Sequence, residues 1–448
     1  MKQRLLIGVM LAGAGVMACG AAAQMGRDGG PAEPVLFAAE RAAAGAGAEA
    51  AGPMLPGPGG RIAAAALAGV LQQPEPKQEV PGGSGVVPPM PVPLNQLDSV
   101  LPPAPGGPAA ADLPAPRPAN MAPSAQNKPM EGEMTPELDE AVRRGLAALV
   151  EMQNDDGSFG GGRFNRNVAI TALGGLALMA DGHLPGRGQY GPNVERALRN
   201  VLDMSTEIGL ITGDAGNGPM YGHGFATLFL GEVHGMTGGD DDSPLARRTH
   251  EALIRACRLI ERTQNEEGGW RYNPVPNDAD VSVTITQIMA LRSARNAGIE
   301  VPKAVIDKAV EYVKKCQNPD GGFMYQTPAG ISAWPRSAAG VASLYYAGIY
   351  EGDAVSKGLG YLMREAMPEN RARSDTHYWY GMYYTSQSMY LAGGQSWETF
   401  WPQSRREMLR SQNARGVWND PGIGQAYGTS MALIVLQMPK RYLPIFQK

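Results

Sequence analysis

The sequence predicts an all-α protein in which six helix pairs form a closed (α/α)6 toroid, preceded by a disordered arm. Three observations support this fold class. A turn motif of the form Gln-Asn-x-x-Gly-x-aromatic recurs, the gaps between its copies are about one or two repeat lengths, and an amphipathic helix alternates with a nearly uncharged one. The motif occurs at Gln153–Phe159, Gln264–Trp270, Gln317–Phe323 and Gln412–Trp418.

The first 23 residues are typical of a secretory signal. Lys2 and Arg4 precede an apolar run from Leu5 to Ala18, which small residues follow. Cleavage after Ala23 and lipid attachment at Cys19 are both open, and the run is short for an uncut membrane anchor. We therefore expect export to the periplasm, the cell envelope or the medium, and lipidation of Cys19 would add peripheral membrane association.

Residues 24–133 are predicted to form a disordered linker. All 6 Trp residues lie beyond Met134, and Phe37 is the only aromatic residue before it. Of the 37 Pro residues, 21 lie before Met134, in runs rich in Ala and Gly. Such a segment cannot bury enough apolar surface to offset its chain entropy.

The folded domain is predicted to span residues 134–448 and to open with a helix. Thr135 is suited to cap the helix, and Pro136 fits its first position. Glu137 and Asp139 place negative charge in the first turn, where the helix dipole favours it.

Two further repeats are predicted where the turn motif is absent. The Gln residues of successive motifs are 111, 53 and 95 residues apart, so the two outer gaps are near twice the middle one. In the first gap, the amphipathic stretch Val194–Met204 precedes the apolar run His223–Val233. In the second, Val355–Met367 precedes the aromatic run Tyr378–Leu391. Four explicit and two degenerate repeats make six helix pairs.

The pattern within each repeat indicates which helix is buried. Lys303–Cys316 carries charges on one face and is expected at the surface. Val281–Leu291 and Ala338–Ile349 have almost no charge and are expected inside. The turn between them has a structural explanation, because Gly supplies a positive φ at the helix end, and Gln and Asn can bond open backbone groups.

The stretch Lys308–Phe323 resembles the QW repeat of squalene-hopene cyclases and related terpene cyclases, with Phe323 in place of Trp. The resemblance covers about residues 134–448. It implies an (α/α)6 toroid, in agreement with the count of repeats, although a fold does not specify a function.

The resemblance also implies a candidate acid. Class II terpene cyclases protonate an alkene with the middle Asp of an Asp-x-Asp-Asp-Thr-Ala motif at the start of an inner helix. Here Asp278 and Asp280 match the first two carboxylates, whereas Val281 replaces the third. Asp280 is thus the candidate general acid with Asp278 beside it, and the alternative is that Asp280 caps the helix.

The resemblance extends weakly to protein prenyltransferases, which bind zinc through Asp, Cys and His. The segment Asp375–Tyr378 is similar to their Tyr-His segment, but no Asp-x-Cys is present. Cys257 and Cys316 lie on outer helices at different offsets from the turns. No metal ion, cofactor or disulfide framework is therefore predicted.

Two groups of side chains are candidates for ligand binding. An aromatic cluster could stabilise a cation if it faced a cavity, or simply fill the core; it comprises Tyr378, Trp379, Tyr380, Tyr383, Tyr384 and Tyr390. Alignment of the turns predicts that a second group rings one mouth of the toroid near the inner-helix starts, as a ligand site or as ordinary caps. That group is Asn167, His223, Asp280, Arg336, His377 and Tyr427.

Charge excludes one class of partner. The 39 basic and 43 acidic residues give a net charge of −4, and no basic stripe occurs, so nucleic-acid binding is not expected. Two hypotheses remain. The first is an exported binding module that holds an apolar, isoprenoid-like small molecule or a peptide segment at the mouth. The alternative is a divergent class II terpene cyclase or prenyl-transferring enzyme that uses Asp280.

Overall fold

The computed structural model describes residues 132–213, 218–238 and 242–447. The predicted signal and nearly all of the predicted linker lie outside these residues. The described residues form twelve α-helices and no β-strand. In chain order the helices are α1 (Pro136–Glu151), α2 (Val168–Met179), α3 (Gly191–Asp203), α4 (Met220–Thr237), α5 (Pro244–Arg262), α6 (Val281–Asn296), α7 (Lys303–Lys315), α8 (Trp334–Tyr346), α9 (Asp353–Glu365), α10 (Tyr378–Ala392), α11 (Gly394–Ser411) and α12 (Gln425–Gln437).

The even-numbered helices form a closed inner ring. Each packs on the next even-numbered helix, and α12 packs back on α2. The odd-numbered helices lie outside this ring, each against one or two inner helices. This arrangement is the predicted toroid of six helix pairs, and α3–α4 and α9–α10 are the two pairs predicted where the turn motif is absent.

Sequence composition explains the two layers. In α2, 11 of the 12 residues are buried, and none is charged. In α1, by contrast, 7 of the 16 residues are buried, on one face, and charged residues occupy the other. Thr135 caps α1 as predicted, because its side-chain oxygen accepts a hydrogen bond from the backbone N–H of Leu138 at 3.3 Å. None of the described helices is both long and apolar enough to span a bilayer.

Each Gln of the turn motif joins one helix pair to the next. Its side-chain nitrogen donates to the carbonyl of the Gly in its own turn, and also to a carbonyl in the first two turns of the next outer helix. The second acceptors are Asn193 for Gln153 (3.0 Å), Val305 for Gln264 (2.9 Å), Ala354 for Gln317 (2.9 Å) and Ala141 for Gln412 (2.8 Å). The last of these bonds joins α1 to the final turn, so the same contact closes the ring.

The Gly of the turn is required by space as well as by conformation. Gly268 has a φ of 105°, and a Cβ atom there would lie 2.1 Å from the carbonyl oxygen of Lys308 in α7. The turn between α3 and α4 keeps this feature, since Gly209 has a φ of 92° and a Cβ atom there would lie 2.3 Å from the carbonyl oxygen of Arg255. Ser205 stands where the other turns have Gln. The repeat therefore persists although its signature is lost.

Candidate functional site

The inner helices all begin at the same end of the toroid. The hydroxyl of Tyr380, at the start of α10, donates to the carbonyl of Ser282, at the start of α6, at 3.0 Å. The indole of Trp379 donates to the carbonyl of Asn419, just before α12, at 3.1 Å. The inner-helix starts thus surround one mouth, as the alignment of the turns predicts.

Asp280 lies at this mouth and caps α6. It is fully buried, and its Oδ1 accepts bonds from the backbone N–H of Val283 (2.8 Å) and from the hydroxyl of Ser282 (2.7 Å). Its Oδ2 lies 3.4 Å from the hydroxyl of Tyr325. Burial raises the pKa of Asp280 to about 6, and the bonds from Ser282 and Val283 oppose this rise without cancelling it.

Arg271 is the cation next to Asp280. Its Nε lies 3.8 Å from Asp280 Oδ2, and its Nη1 pairs closely with Asp278, which is exposed. The guanidinium also lies over the rings of Tyr272 and Tyr325, at 5.3 Å and 5.8 Å from their centroids. Arg271 therefore joins both candidate carboxylates to the aromatic residues around them.

Four half-buried tyrosines line this end, and we refer to them as the tyrosine mouth: Tyr221, Tyr272, Tyr325 and Tyr380. The rings of Tyr221 and Tyr272 lie 5.9 Å apart, and the hydroxyls of Tyr272 and Tyr325 are hydrogen-bonded to each other. Burial raises the pKa of Tyr272 to about 12, so its hydroxyl stays protonated near neutral pH. The mouth therefore offers uncharged aromatic surface with hydroxyl groups.

Below the mouth, the centre of the ring is packed. The rings of Phe225 in α4 and Tyr383 in α10 lie 6.2 Å apart, although these helices stand on opposite sides of the inner ring. Tyr384 is fully buried and stacks edge-on against Tyr383 and Tyr380. At this level the aromatic cluster acts as core.

Three of the predicted mouth residues have structural partners. Asn167 caps α2 through a bond from the backbone N–H of Ile170, at 3.2 Å. His223 is fully buried; its Nδ1 accepts from the Ile211 N–H at 3.2 Å, and burial lowers its pKa to about 4. Arg336 is buried and donates to the carbonyl oxygens of Phe323 and Ile331.

The remaining candidates lie around α10 and α12. His377 is exposed and has a φ of 60° immediately before α10. Tyr378 is buried, with its ring edge-on to those of Trp334 and Trp379. Tyr427 is almost fully buried, and burial holds its pKa well above the usual range. Of the predicted candidates, Tyr380 is therefore itself part of the tyrosine mouth, and Asp280 and Tyr384 contact it, through Tyr325 and Tyr380.

Both cysteines of the described domain are free and buried. Burial raises the pKa of the Cys316 thiol to about 12, so it stays protonated. In the described ranges, no three His, Cys, Asp or Glu side chains come together as a group that could hold a metal ion.

Sequence reasoning did not identify Arg271, Tyr272 and Tyr325 as site residues. The sequence does carry a signal for the two tyrosines. Tyr272 lies two positions after Trp270, and Tyr325 lies two positions after Phe323, so a Tyr follows the aromatic residue of the turn at the same spacing in two successive repeats. The backbone fixes these positions: the N–H of Asp280 donates to the Trp270 carbonyl at 3.0 Å, and that of Val281 to the Tyr325 carbonyl at 3.1 Å.

The fold and the mouth together define an α/α toroid with an aromatic end. No protein-family model and no curated protein matches the sequence. Among solved structures, the chain is similar to the type II terpene cyclase MstE from Scytonema, with 14% identity over 69% of this chain and 100% of that one and a TM-score of 0.47. It is also similar to a protein from Actinoplanes (15% identity, 68% and 99% coverage, TM-score 0.47) and to a glycosidase solved with glucose (14%, 69% and 98%, TM-score 0.43). The solved structures similar to this chain thus include terpene cyclases.

Proposed function

We propose that this chain is a binding module whose tyrosine mouth holds an apolar ligand, either an isoprenoid-like small molecule or a peptide segment. The observation that carries the proposal is the half-buried state of Tyr221, Tyr272, Tyr325 and Tyr380 at one end of the ring. Tyrosine offers a large ring and a hydroxyl at a low cost in conformational entropy, which suits it to recognition. A ligand seated there would cover the exposed parts of these rings.

The packed interior supports binding at the end of the toroid rather than inside it. An enclosed ligand needs a cavity of several hundred Å3. The contact between Phe225 and Tyr383 spans opposite inner helices, and the bond from Tyr380 to Ser282 spans helices that are not neighbours in the ring. A ligand at the mouth requires no change in these contacts.

The second candidate function is that of a divergent class II terpene cyclase or prenyl-transferring enzyme with Asp280 as its acid. It is favoured by the pKa of Asp280, which burial raises to about 6, because a general acid must keep its proton near the working pH. Two observations oppose it. Val281 stands in place of the third carboxylate, and Asp280 has no exposed surface through which it could reach a substrate.

Incubation of the purified full chain with squalene, farnesyl diphosphate and geranylgeranyl diphosphate, and with an array of apolar peptides, separates the two functions. We expect at least one probe to raise the melting temperature without forming a product in mass spectrometry. Tyr380→Ala should abolish the rise, whereas Tyr442→Ala, at an exposed tyrosine, should not. A product that disappears in Asp280→Asn would favour the cyclase, and no rise with any probe would contradict binding at the mouth.

We also propose that the chain is exported, on the basis of the apolar run that follows Lys2 and Arg4. Expression of the full chain in a bacterial host, with mass spectrometry of the mature N-terminus, tests this. A start at Gln24 indicates simple export, and a lipid on Cys19 that is absent in Cys19→Ser indicates a lipoprotein. An intact Met1 in the cytoplasmic fraction would contradict export.

A further inference from the structure

The end of the toroid opposite the tyrosine mouth is covered by the last residues of the chain. Residues Pro444–Phe446 form a short 3-10 turn that packs against α4 and α6. Leu443, Ile445 and Phe446 are all buried there. We refer to the surface of α4 and α6 that contacts residues 443–446, together with Glu232 and Ser293, as the tail seat.

Glu232 is the polar group of the tail seat. It is the one residue of α4 that is an Asp, Glu, Lys or Arg, and it is buried. One carboxyl oxygen accepts a bond from the hydroxyl of Ser293 in α6 at 2.7 Å, and the other accepts the backbone N–H of Ile445 at 3.0 Å. The first N–H groups of a helical turn have no partner within the turn, so Glu232 satisfies a group that would otherwise be buried without one.

We propose that the tail seat is a peptide-binding site, occupied here by the chain's own residues 443–446, in which Glu232 recognises the bound backbone and releases it on ionisation. The ligand class is a short apolar segment that presents one free N–H at the start of a turn. This site is separate from the tyrosine mouth and does not depend on the function proposed for it.

The groups around Glu232 determine how release depends on pH. Tyr346 of α8 and Tyr383 of α10 face it, and burial holds the pKa of both above the usual range, so they stay neutral. Arg292 of α6 acts on Tyr346, while Arg441 of the tail is directed to Tyr390, at 3.0 Å, and towards Glu133. Among the described residues, burial and the two hydrogen bonds determine the pKa of Glu232, with no contribution from a neighbouring charge.

Burial raises the pKa of the seated Glu232 from its ordinary value of 4.5 to about 7, and the hydrogen bonds from Ser293 and Ile445 oppose this rise without cancelling it. On release, hydration of the carboxyl would return the pKa to its ordinary value. The seated state therefore binds the proton more tightly, and the equilibrium shifts towards the released state as pH rises from about 4.5 to 7. The shift in the equilibrium between the two states is on the order of 100-fold, and it is complete above that range.

Hydrogen–deuterium exchange of the full chain tests this proposal. After correction for the intrinsic exchange rate, protection of residues 443–447 should fall about 100-fold between pH 5 and pH 8 in the wild type. In Glu232→Gln, which keeps an acceptor and cannot ionise, protection should stay constant. The exchange of α12 serves as the internal control and should not change. His234, which stacks on His250 in the same region, is present in both proteins and cancels in the comparison.

A matched pair of variants tests the recognition of the backbone. Ile445→Pro removes the N–H that Glu232 accepts, whereas Ile445→Val keeps it and preserves the apolar character. At pH 5, we expect the amides of Leu443 and Phe446 to exchange at least 10-fold faster in the Pro variant than in the wild type, and at the wild-type rate in the Val variant. A labelled peptide with the sequence of residues 441–448 should then bind the Pro variant, measured by fluorescence anisotropy, and not the wild type.

Three outcomes would overturn the proposal. Equal protection of the tail at both pH values in the wild type would remove the role of ionisation. Equal peptide binding by wild type and Ile445→Pro would show that the seat is not where the peptide binds. Loss of protection in α12 together with the tail would show that the segment is part of the core and not a separable ligand.

Discussion

The two ends of the toroid are made by the same repeat but are closed in different ways. At the tyrosine mouth, Asp280 lies under half-buried rings and beside Arg271. At the opposite end, Glu232 of α4 lies under residues 443–446 and accepts a hydrogen bond from the backbone N–H of Ile445. Burial raises the pKa of both carboxyls, to about 6 and about 7. The comparison teaches that a buried acid does not by itself mark a reactive site, because its partners decide what it does.

Substitution of a turn glycine at the mouth end should have the largest effect on the free energy of unfolding. Gly268→Ala places a Cβ 2.1 Å from the Lys308 carbonyl at a φ of 105°. We expect the free energy of unfolding to fall by at least about 4 kcal/mol, measured by urea denaturation. Gly161→Ala is the matched control, because nothing lies within 4 Å of the added atom. Equal stability of the two variants would mean that the turns do not hold the mouth.

The acid at the mouth should make stability depend on pH in a defined window. Because burial raises the pKa of Asp280 from its ordinary value of 3.8 to about 6, the folded state binds the proton more tightly than the unfolded state does. Stability relative to Asp280→Asn should therefore fall by about 3 kcal/mol as pH rises from 4 to 6.5, and then level off. The difference between the two proteins removes the opposite contribution of His223, whose lowered pKa reduces stability as pH falls. A constant difference across this range would show that Asp280 is not desolvated.

At the other end, the contacts of the tail should contribute a moderate amount. Arg441→Ala loses the bond to the Tyr390 hydroxyl, at 3.0 Å, and the attraction to the buried Glu133. We expect a loss of about 1.5 kcal/mol in the free energy of unfolding. Tyr442→Ala, at the neighbouring exposed residue, should change it by less than about 0.5 kcal/mol. A larger loss in Tyr442→Ala than in Arg441→Ala would refute this ranking.

The hydroxyl network of the mouth should have the smallest effect on stability. Tyr272→Phe removes the hydrogen bond to the Tyr325 hydroxyl and keeps the ring under Arg271. We expect a loss of about 1 kcal/mol by thermal denaturation. Tyr442→Phe is the control for the loss of a tyrosine hydroxyl at an exposed position. If both variants lose the same amount, the network at the mouth contributes nothing of its own.

The fold could be predicted from sequence because each repeat carries its own local signals. The Gly of the turn, the charged face of one helix and the uncharged run of the next all recur within about 50 residues. Even the two degenerate pairs could be located, since their helices keep the pattern when the turn does not. Closure of the ring followed from the count of six pairs, and the packing of α12 on α2 agrees with it.

The candidate site could be predicted only in part, because its contacts join loops from different repeats. Asp280 was identifiable from its position before an inner helix. Its proximity to Tyr325, 45 residues later, depends on how two turns meet, which no local pattern encodes. Glu232 is recognisable in the sequence as a lone carboxylate in an apolar helix, but its partner Ile445 lies 213 residues away, and no local pattern connects the two.

The bond from Gln412 to Ala141 has a consequence for how such a protein can change. A linear stack of repeats can gain or lose a unit at either end, provided that its outermost units have polar faces. A ring has no outermost unit, since the neighbour of the last pair is the first. A seventh pair would have to widen every joint, so we expect insertions to be accepted in the loops between helices and whole repeats to be neither added nor removed.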